Sequence, residues 1–554
     1  MNKKNHRRRM LLAAGLIGLC SYPVATLSGR LLAESGSADR PVAAAQNSSS
    51  QTQATENQVS ITLFPKKAGD QDDTERIQRA VDYCIENGKD LFFPSGTTYT
   101  IRSVDVEAGL RLVGYGAMFK LAERQPKFTR MFTTQNRLWE SAEDSDYLIF
   151  EGITFDGNCW EQGAFLNYEK EQQFAILFSG STEKAGMLRG KVIACRFQNW
   201  CGDGVHVYTN AEVAVSDSTS YNCFRGGVVA SGSPSIIKIT DFTAEKSQFG
   251  KAIDIEIDTE PHDKTELTIE RLTAYESVDI GTQEGSVVRM TDSTVSGGTT
   301  QIYGFKNKVT IERSTLGNVE VMNATDCTFN EVTFAVTPSA AEDVKGVVVR
   351  VIDIFDELPK DAYQTTFNDC IFERADAGKL LETDKEVVAV NGYYGKLTLN
   401  DCVFREGFTT GYFNFGVAES YLKDVHFDTE TAVSMQPLNW ARIDKFVLDN
   451  VSYGESVTTP FRFLDYMITK PYATVIFKNM VLDSSKAGYA GADQIGTTKI
   501  TSDRLILVDE DPTVADVPAF KGDTAKLYTP VAGSPSEWVA VTSDPIAADW
   551  KVVE

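Results

Sequence analysis

Histidine is scarce, only four in 554 residues. The nine cysteines are scattered and form no Cys-x-x-Cys pair, so a zinc ribbon or finger is excluded. After residue 33 no apolar run approaches the roughly 18 residues of a membrane span. Basic residues are in deficit, 54 against 77 acidic, for a formal charge of -23. Such a surface repels nucleic acid and anionic membranes. No Leu-x-x-Leu-x-Leu repeat occurs, no period near the roughly 40 residues of a propeller blade, and little helical patterning, which excludes horseshoes, propellers and helical solenoids. Apolar residues make up 42% of the chain and charged residues 24%, enough to build a large core in a soluble domain.

The first 33 residues read as an export signal: Lys3, Lys4, Arg7, Arg8 and Arg9 form a basic front, an apolar run covers residues 10–19, and Ala33 is a candidate cleavage point. Arg7-Arg8-Arg9-Met10-Leu11-Leu12 resembles a twin-arginine signal, which implies a periplasmic, extracellular or cell-surface destination. Removal of this segment takes away six basic side chains and no acidic ones, moving the charge from -23 to -29. An anionic polysaccharide then needs a local basic patch or a bridging cation; a neutral glycan needs neither. Residues 34–58, rich in Ser, Ala, Gln and Asn, read as a flexible linker.

One amphipathic helix is predicted over 73–87. Asp72 is the expected N-cap with Glu75 completing a capping box, Ile77, Ala80, Val81, Cys84 and Ile85 recur at helical spacing, and Gly88 closes the helix. Short strands follow. Gly-led strands begin near Val205, Val228, Ile253, Val278 and Gln301, at separations of 23, 25, 25 and 23 residues. A period near 24 with three short strands suits one coil of a parallel β-helix, since a single coil cannot bury its own apolar face and stacking builds a continuous core. The helix is expected to cap the first coil, whose strand edges are otherwise unpaired. Cys327, Cys370 and Cys402 each precede x-Phe and read as one recurring inward position; Cys195 and Cys201 are close enough in sequence to pair as a disulfide. The expected organisation is a β-helix over 59–490 and a small β module over 491–554.

Alternation assigns faces on the Gly-led strands. The apolar positions of Val205, Ile253 and Val278 point in. His206, Val229, Asp254 and Asp279 form an outer stripe, with Tyr208, Ser231 and Glu256 beside it. Asp203, Arg225 and Lys251 flank the same patch at the strand starts. Stacking places Asp254 roughly 5 Å from Asp279, and the α-carbons of Asp254 and Glu256 lie roughly 6.6 Å apart. Retaining and inverting glycosidases use carboxylates about 5.5 Å and about 6.5–9.5 Å apart. Crowding of this kind raises one carboxylate's pKa and leaves its neighbour ionised, the division an acid and a base require.

Asp72-Asp73-Thr74-x-x-Ile77-Gln78-x-Ala80, Phe93-Pro94-Ser95-Gly96-x-x-Tyr99-x-Ile101, Gly114-x-Gly116 and Ile153-Thr154-Phe155-Asp156-Gly157-Asn158 together resemble the opening of the pectate-lyase-like β-helix superfamily. That resemblance implies an all-β, right-handed parallel β-helix acting on a polysaccharide, as in polygalacturonases, pectate lyases, uronan epimerases and phage tailspikes. Of the polygalacturonase motifs only Gly202-Asp203 remains, which argues against pectin hydrolysis. Glu260-Pro261-His262-Asp263 is similar to the epimerase Asp-Pro-His-Glu with its acids exchanged, and reads as a turn.

Three functions stay open. A glycoside hydrolase would draw its acid and its base or nucleophile from Asp254, Glu256, Asp279 and Asp203, with His206, Tyr208, Arg225 and Lys251 binding substrate and no cofactor. A polysaccharide lyase or epimerase on a uronic-acid polymer would use Arg225, Lys251 or His206 as base, with Ca²⁺ on the carboxylates. A surface protein would bind glycan without turnover. The sequence leaves the oligomeric state open.

Overall fold

The computed structural model describes residues 54–134, 147–163, 169–180, 187–245, 250–257, 265–282, 284–304, 307–322, 326–336, 347–352, 363–374, 387–393, 395–414, 416–435, 444–464, 474–491, 499–530, 535–545 and 547–553. The export signal, most of the linker and the 260–263 turn lie outside the described residues.

The expected right-handed parallel β-helix is the observed architecture. Seventeen strands, from Gln58–Ser60 to Lys499–Ser502, stack as one parallel sheet. Its strands alternate as sequence periodicity requires: in Ala211–Ser216, Ala211, Val213 and Val215 are buried and Glu212, Ala214 and Ser216 are half-exposed. Two further ladders join into a 26-stranded sheet where the strand Thr294–Gly304 is long enough to pair with members of both.

The Gly-led strands form one of these ladders: β1 (Phe174–Phe178), β2 (Asp203–Val207), β3 (Gly226–Ala230), β4 (Lys251–Glu256), β5 (Ser277–Thr282) and β6 (Thr294–Gly304). Val205 pairs with Val228, Val228 with Ile253 and Ile253 with Val278, so the period read from the sequence is the coil-to-coil register. All five residues of β1, β2 and β3 are buried, outward positions included. The sequence reading placed those positions on an open face; burial on both sides corrects that.

Aromatic rings stack from coil to coil. Phe334, Phe372, Phe404 and Phe427 are register partners, with centroids 4.8, 4.4 and 4.5 Å apart, close to the strand spacing of about 4.8 Å. This is the physical content of the recurring x-Phe.

The cysteines need two corrections. Cys195 and Cys201 are free, each a buried thiol pushed up to about 12 by burial. Cys327, Cys370 and Cys402 are also free and buried, but not equivalent. Cys327 lies within a strand opposite Thr365, whereas Cys370 and Cys402 sit at a corner stacked on Val332. That corner repeats throughout. The residue before each of these three, Glu331, Asp369 or Asp401, has a left-handed backbone, and so do Asp217, Asp241 and Asp292 on earlier coils. Its amide reaches the next coil, Asp369 N donating to Asn400 O at 3.0 Å and Asp401 N to Lys423 O at 3.0 Å. Asp and Asn tolerate this conformation better than most side chains, which explains their recurrence.

The predicted helix, α1 (Thr74–Asn87), buries Ile77, Ala80, Val81 and Cys84 and ends on left-handed Gly88. Its N-cap is Asp73, not Asp72, and the capping box does not form: Glu75 pairs with Arg102 instead. Gln78 ties α1 to the first coils, its Nε2 donating to Asp105 O at 2.9 Å. At the other end a five-stranded sheet within Val481–Val552 turns from parallel to antiparallel and has its own core around Trp538 and Trp550. Beneath it Arg504 and Asp523 form a buried ion pair, Nη2 to Oδ2 2.6 Å.

Candidate functional site

The outer stripe forms with the expected register. His206 lies opposite Val229, Val229 opposite Asp254, Asp254 opposite Asp279, and Asp279 opposite Gln301. Parallel pairing of identical strand positions brings residues far apart in sequence into lateral contact.

Lys251, at the start of β4, reaches over the stripe. Its Nζ lies 2.9 Å from Asp254 Oδ1, 3.1 Å from Glu256 Oε1 and 2.9 Å from Asp279 Oδ2. Arg225 spans the other side, with Nη2 3.5 Å from Asp254 Oδ2 and 3.7 Å from Glu256 Oε2, and Nε 3.8 Å from Asp203 Oδ1. Four carboxylates thus share two cations. The side chains of Asp203, Asp254 and Asp279 are almost wholly buried, whereas that of Glu256 is 41% exposed.

This uneven burial divides the acids. Burial, reinforced by Glu256 and Asp279 and opposed by Lys251 and Arg225, pushes the Asp254 carboxyl up to about 7. Burial also opposes charge on Glu256, but Lys251 and Arg225 outweigh it and hold that carboxyl below its ordinary value. Asp279 is raised, chiefly by burial against the pull of Lys251. At the far end the charge of Asp203, ahead of those of Asp254 and Glu256, raises Arg225 despite its burial. Lys251 is raised despite its burial, because Asp279, Asp254 and Glu256 surround it.

Tyr303 completes the patch. It follows Gly281 in register, and Gly281 follows Glu256. A Cβ on Gly281 would lie 2.2 Å from the Tyr303 ring, so the glycine makes room for the phenol beside the carboxylates. Burial raises that phenol well above its ordinary value. Tyr208 stands 43% exposed at the edge of the same face.

His206 belongs to a separate contact set. Its Nδ1 lies 2.8 Å from Asp203 Oδ2 and its Nε2 2.9 Å from Ser231 Oγ. Phe174 on β1 stacks on the imidazole at 4.3 Å and 15°. Both ring nitrogens are engaged within the protein. Phe174 and Tyr303 carry the parts of this geometry that sequence reasoning left out, and Ser231, placed beside the outer stripe, was not paired with His206; their register positions were the available signal.

Among the described residues no group of three or more His, Cys, Asp or Glu is arranged to hold a metal ion. The carboxylates a Ca²⁺ ion would need converge instead on the Lys251 ammonium, so the donor set does not fit the cation the lyase reading calls for.

No family model and no curated protein sequence matches the chain. Among solved structures, the tailspike protein of E. coli bacteriophage HK620, in complex with a pentasaccharide, is 12% identical over 90% of this chain and 92% of that one, with a TM-score of 0.46. PfbA, a surface adhesin of Streptococcus pneumoniae, is 12% identical over 89% of this chain and 99% of that one, with a TM-score of 0.38. At this level no residue role carries over.

Proposed function

We propose that this chain is an exported glycoside hydrolase acting on a polysaccharide at the rim of the β2–β6 face, where Tyr208 and Glu256 are exposed. One observation carries the reading: Asp254 and Glu256, two residues apart on one strand, share the Lys251 ammonium at 2.9 and 3.1 Å, yet the Asp254 side chain is almost wholly buried and that of Glu256 is 41% exposed. A pair of acids split this way supplies a proton donor and an ionised partner at neutral pH. Glu256, exposed and ionised, is the base or nucleophile. Asp254 is the acid, and Lys251, which covers it, must be displaced as the sugar enters; catalytic contacts often tighten only in the substrate complex. Asp279 takes up the Lys251 ammonium in that movement. Tyr208 offers an aromatic edge to a sugar ring, and the polymer supplies successive rings to successive coils. Neither cofactor nor metal has a part in this scheme.

The lyase or epimerase alternative is weaker. A lysine or arginine base needs a lowered pKa, yet Lys251 and Arg225 are both raised by their carboxylates. The burial of Asp203, Asp254 and Asp279 favours the third reading, a glycan-binding surface protein without turnover. A panel of polysaccharides incubated with the purified chain decides among them. The hydrolase releases reducing ends with no near-ultraviolet product. An unsaturated, absorbing product means a lyase, and retention of glycan without new ends means a binding protein; either result overturns the proposal.

A further inference from the structure

Three side chains on adjacent coils, absent from the hydrolase scheme, form a chain of hydrogen bonds. Asp203 Oδ2 is 2.8 Å from His206 Nδ1, and His206 Nε2 is 2.9 Å from Ser231 Oγ. An aspartate on Nδ1 fixes the tautomer that leaves Nε2 free to accept the serine proton. We infer that Asp203, His206 and Ser231 form a nucleophilic serine centre that cleaves a short acyl ester on a sugar hydroxyl.

The surroundings favour such a centre. Asp203 is wholly buried and His206 is 4% exposed, so the orienting bond is shielded from water. Phe174, stacked on the imidazole, prevents the ring from turning. Arg225 faces the second Asp203 oxygen at 3.8 Å and does not compete for Oδ2. Ser231 is half-buried, open enough for a substrate. The backbone just past it is fixed, since a Cβ on Gly232 would fall 1.4 Å from the Tyr208 carbonyl oxygen. The register of Ala230 with Ile255 sets Ser231 level with Glu256. Polar and charged neighbours of this kind suit a small acyl group, such as acetyl, carried by a polyol rather than a long lipid chain.

The reaction balances without a cofactor. Ser231 Oγ attacks the acyl carbon while its proton passes to His206 Nε2. The carbon–oxygen bond to the sugar breaks, and the imidazole returns the proton to the departing hydroxyl. Water, deprotonated by the same nitrogen, then attacks the serine ester; the acyl–Oγ bond breaks, the acid departs, and the imidazole hands its proton back to Ser231 Oγ. Ser231 is the nucleophile, His206 the base and acid, and Asp203 a positioning residue.

A fluorophosphonate probe tests this on the full chain, with 4-nitrophenyl acetate as ester substrate. The expected result is one adduct, located by peptide mass at Ser231. S231A should abolish it, and H206Q should slow it by a factor of about 100 or more. D203N, which leaves Ser231 and His206 in place, should slow both labelling and ester cleavage, as loss of a positioning group does. Far-ultraviolet circular dichroism and melting establish that each variant is folded; S231C, nearly isosteric, should react with iodoacetamide faster than the buried native thiols. Failure of the wild-type chain to label at Ser231, or equal rates in wild type and folded H206Q, overturns the inference. Neither result bears on glycan cleavage, which is read separately from reducing ends.

Discussion

Two of the buried charge clusters among the described residues are built differently. Under the closing sheet, Asp523 meets one partner face on: Arg504 Nε lies 3.2 and 3.1 Å from its two oxygens and Nη2 2.6 Å from Oδ2, while Phe520 N donates to Oδ2 at 2.8 Å. Arg504 Nη1 donates to Ala487 O at 3.0 Å, and the guanidinium lies 4.7 Å from the Phe520 ring centroid. Every strong group has a partner, as a structural ion pair requires. On the β2–β5 face four carboxylates divide two cations, and among the described residues Asp203 Oδ1 accepts no hydrogen bond. Incomplete neutralisation costs stability and leaves protons to move. The first cluster holds two parts of the chain together; the second is suited to chemistry.

The comparison is broken most directly by removing charge from each cluster. E256Q and D254N should each lower glycan turnover by a factor of about 100 or more, the typical loss of a positioned proton-transfer group, as measured by reducing ends released. D523N should leave turnover per folded molecule unchanged but destabilise the fold by about 3–5 kcal/mol, because Arg504 is left buried and uncompensated; denaturant melting reads this. Equal destabilisation by D254N and D523N would erase the distinction drawn here.

The pH dependence follows from Asp254. Its folded carboxyl stands at about 7 against an ordinary 3.8. A raised acid pKa means the folded state binds the proton more tightly, so this group's contribution is fully present below 3.8 and is lost as pH rises to about 7. Two outcomes are expected. Turnover should fall as pH rises through about 7, because the acid loses its proton. At pH 8 D254N should melt higher than wild type, the reverse of its effect on activity. A melting point that drops at every pH would show Asp254 to be a structural acid. The smallest effect is expected at exposed corner pairs such as Arg313–Asp292: R313A should leave both melting point and turnover within experimental error.

The sequence made the ladder legible because register depends only on spacing and alternation. Val205, Val228, Ile253 and Val278 could be aligned before any coordinates, and with them Asp254 and Asp279. It did not reveal that the outward side of that ladder is covered. Covering comes from long side chains reaching across coils, Lys251 over Asp254 and Tyr303 beside Gly281, and neither reach is encoded in a local pattern. His206 was visible, but its partner Ser231 lies one coil away and off the direct register line. The Cys327 mistake has the same origin. Cys-x-Phe recurs in sequence, yet one instance lies in a strand and two at a corner. The corner itself was present as Asp-Cys, Asp-Phe, Asp-Ser and Asn-Val pairs, which are too short to stand out without the left-handed backbone that unites them.

That repeated left-handed corner bears on how the molecule changes over evolutionary time. It fixes the angle between two strands with a single residue and one hydrogen bond from its backbone N–H to the neighbouring coil, so the bend tolerates little variation in length. The coil from Arg313 to Glu331 is short and the one from Glu331 to Asp369 about twice as long, yet both return to the same bend. Mutation is therefore free to lengthen or shorten the connections elsewhere on a coil, because loop closure costs rise only slowly with length. The chain can acquire new surface without renegotiating its interior, and grafted peptides are best inserted away from that corner.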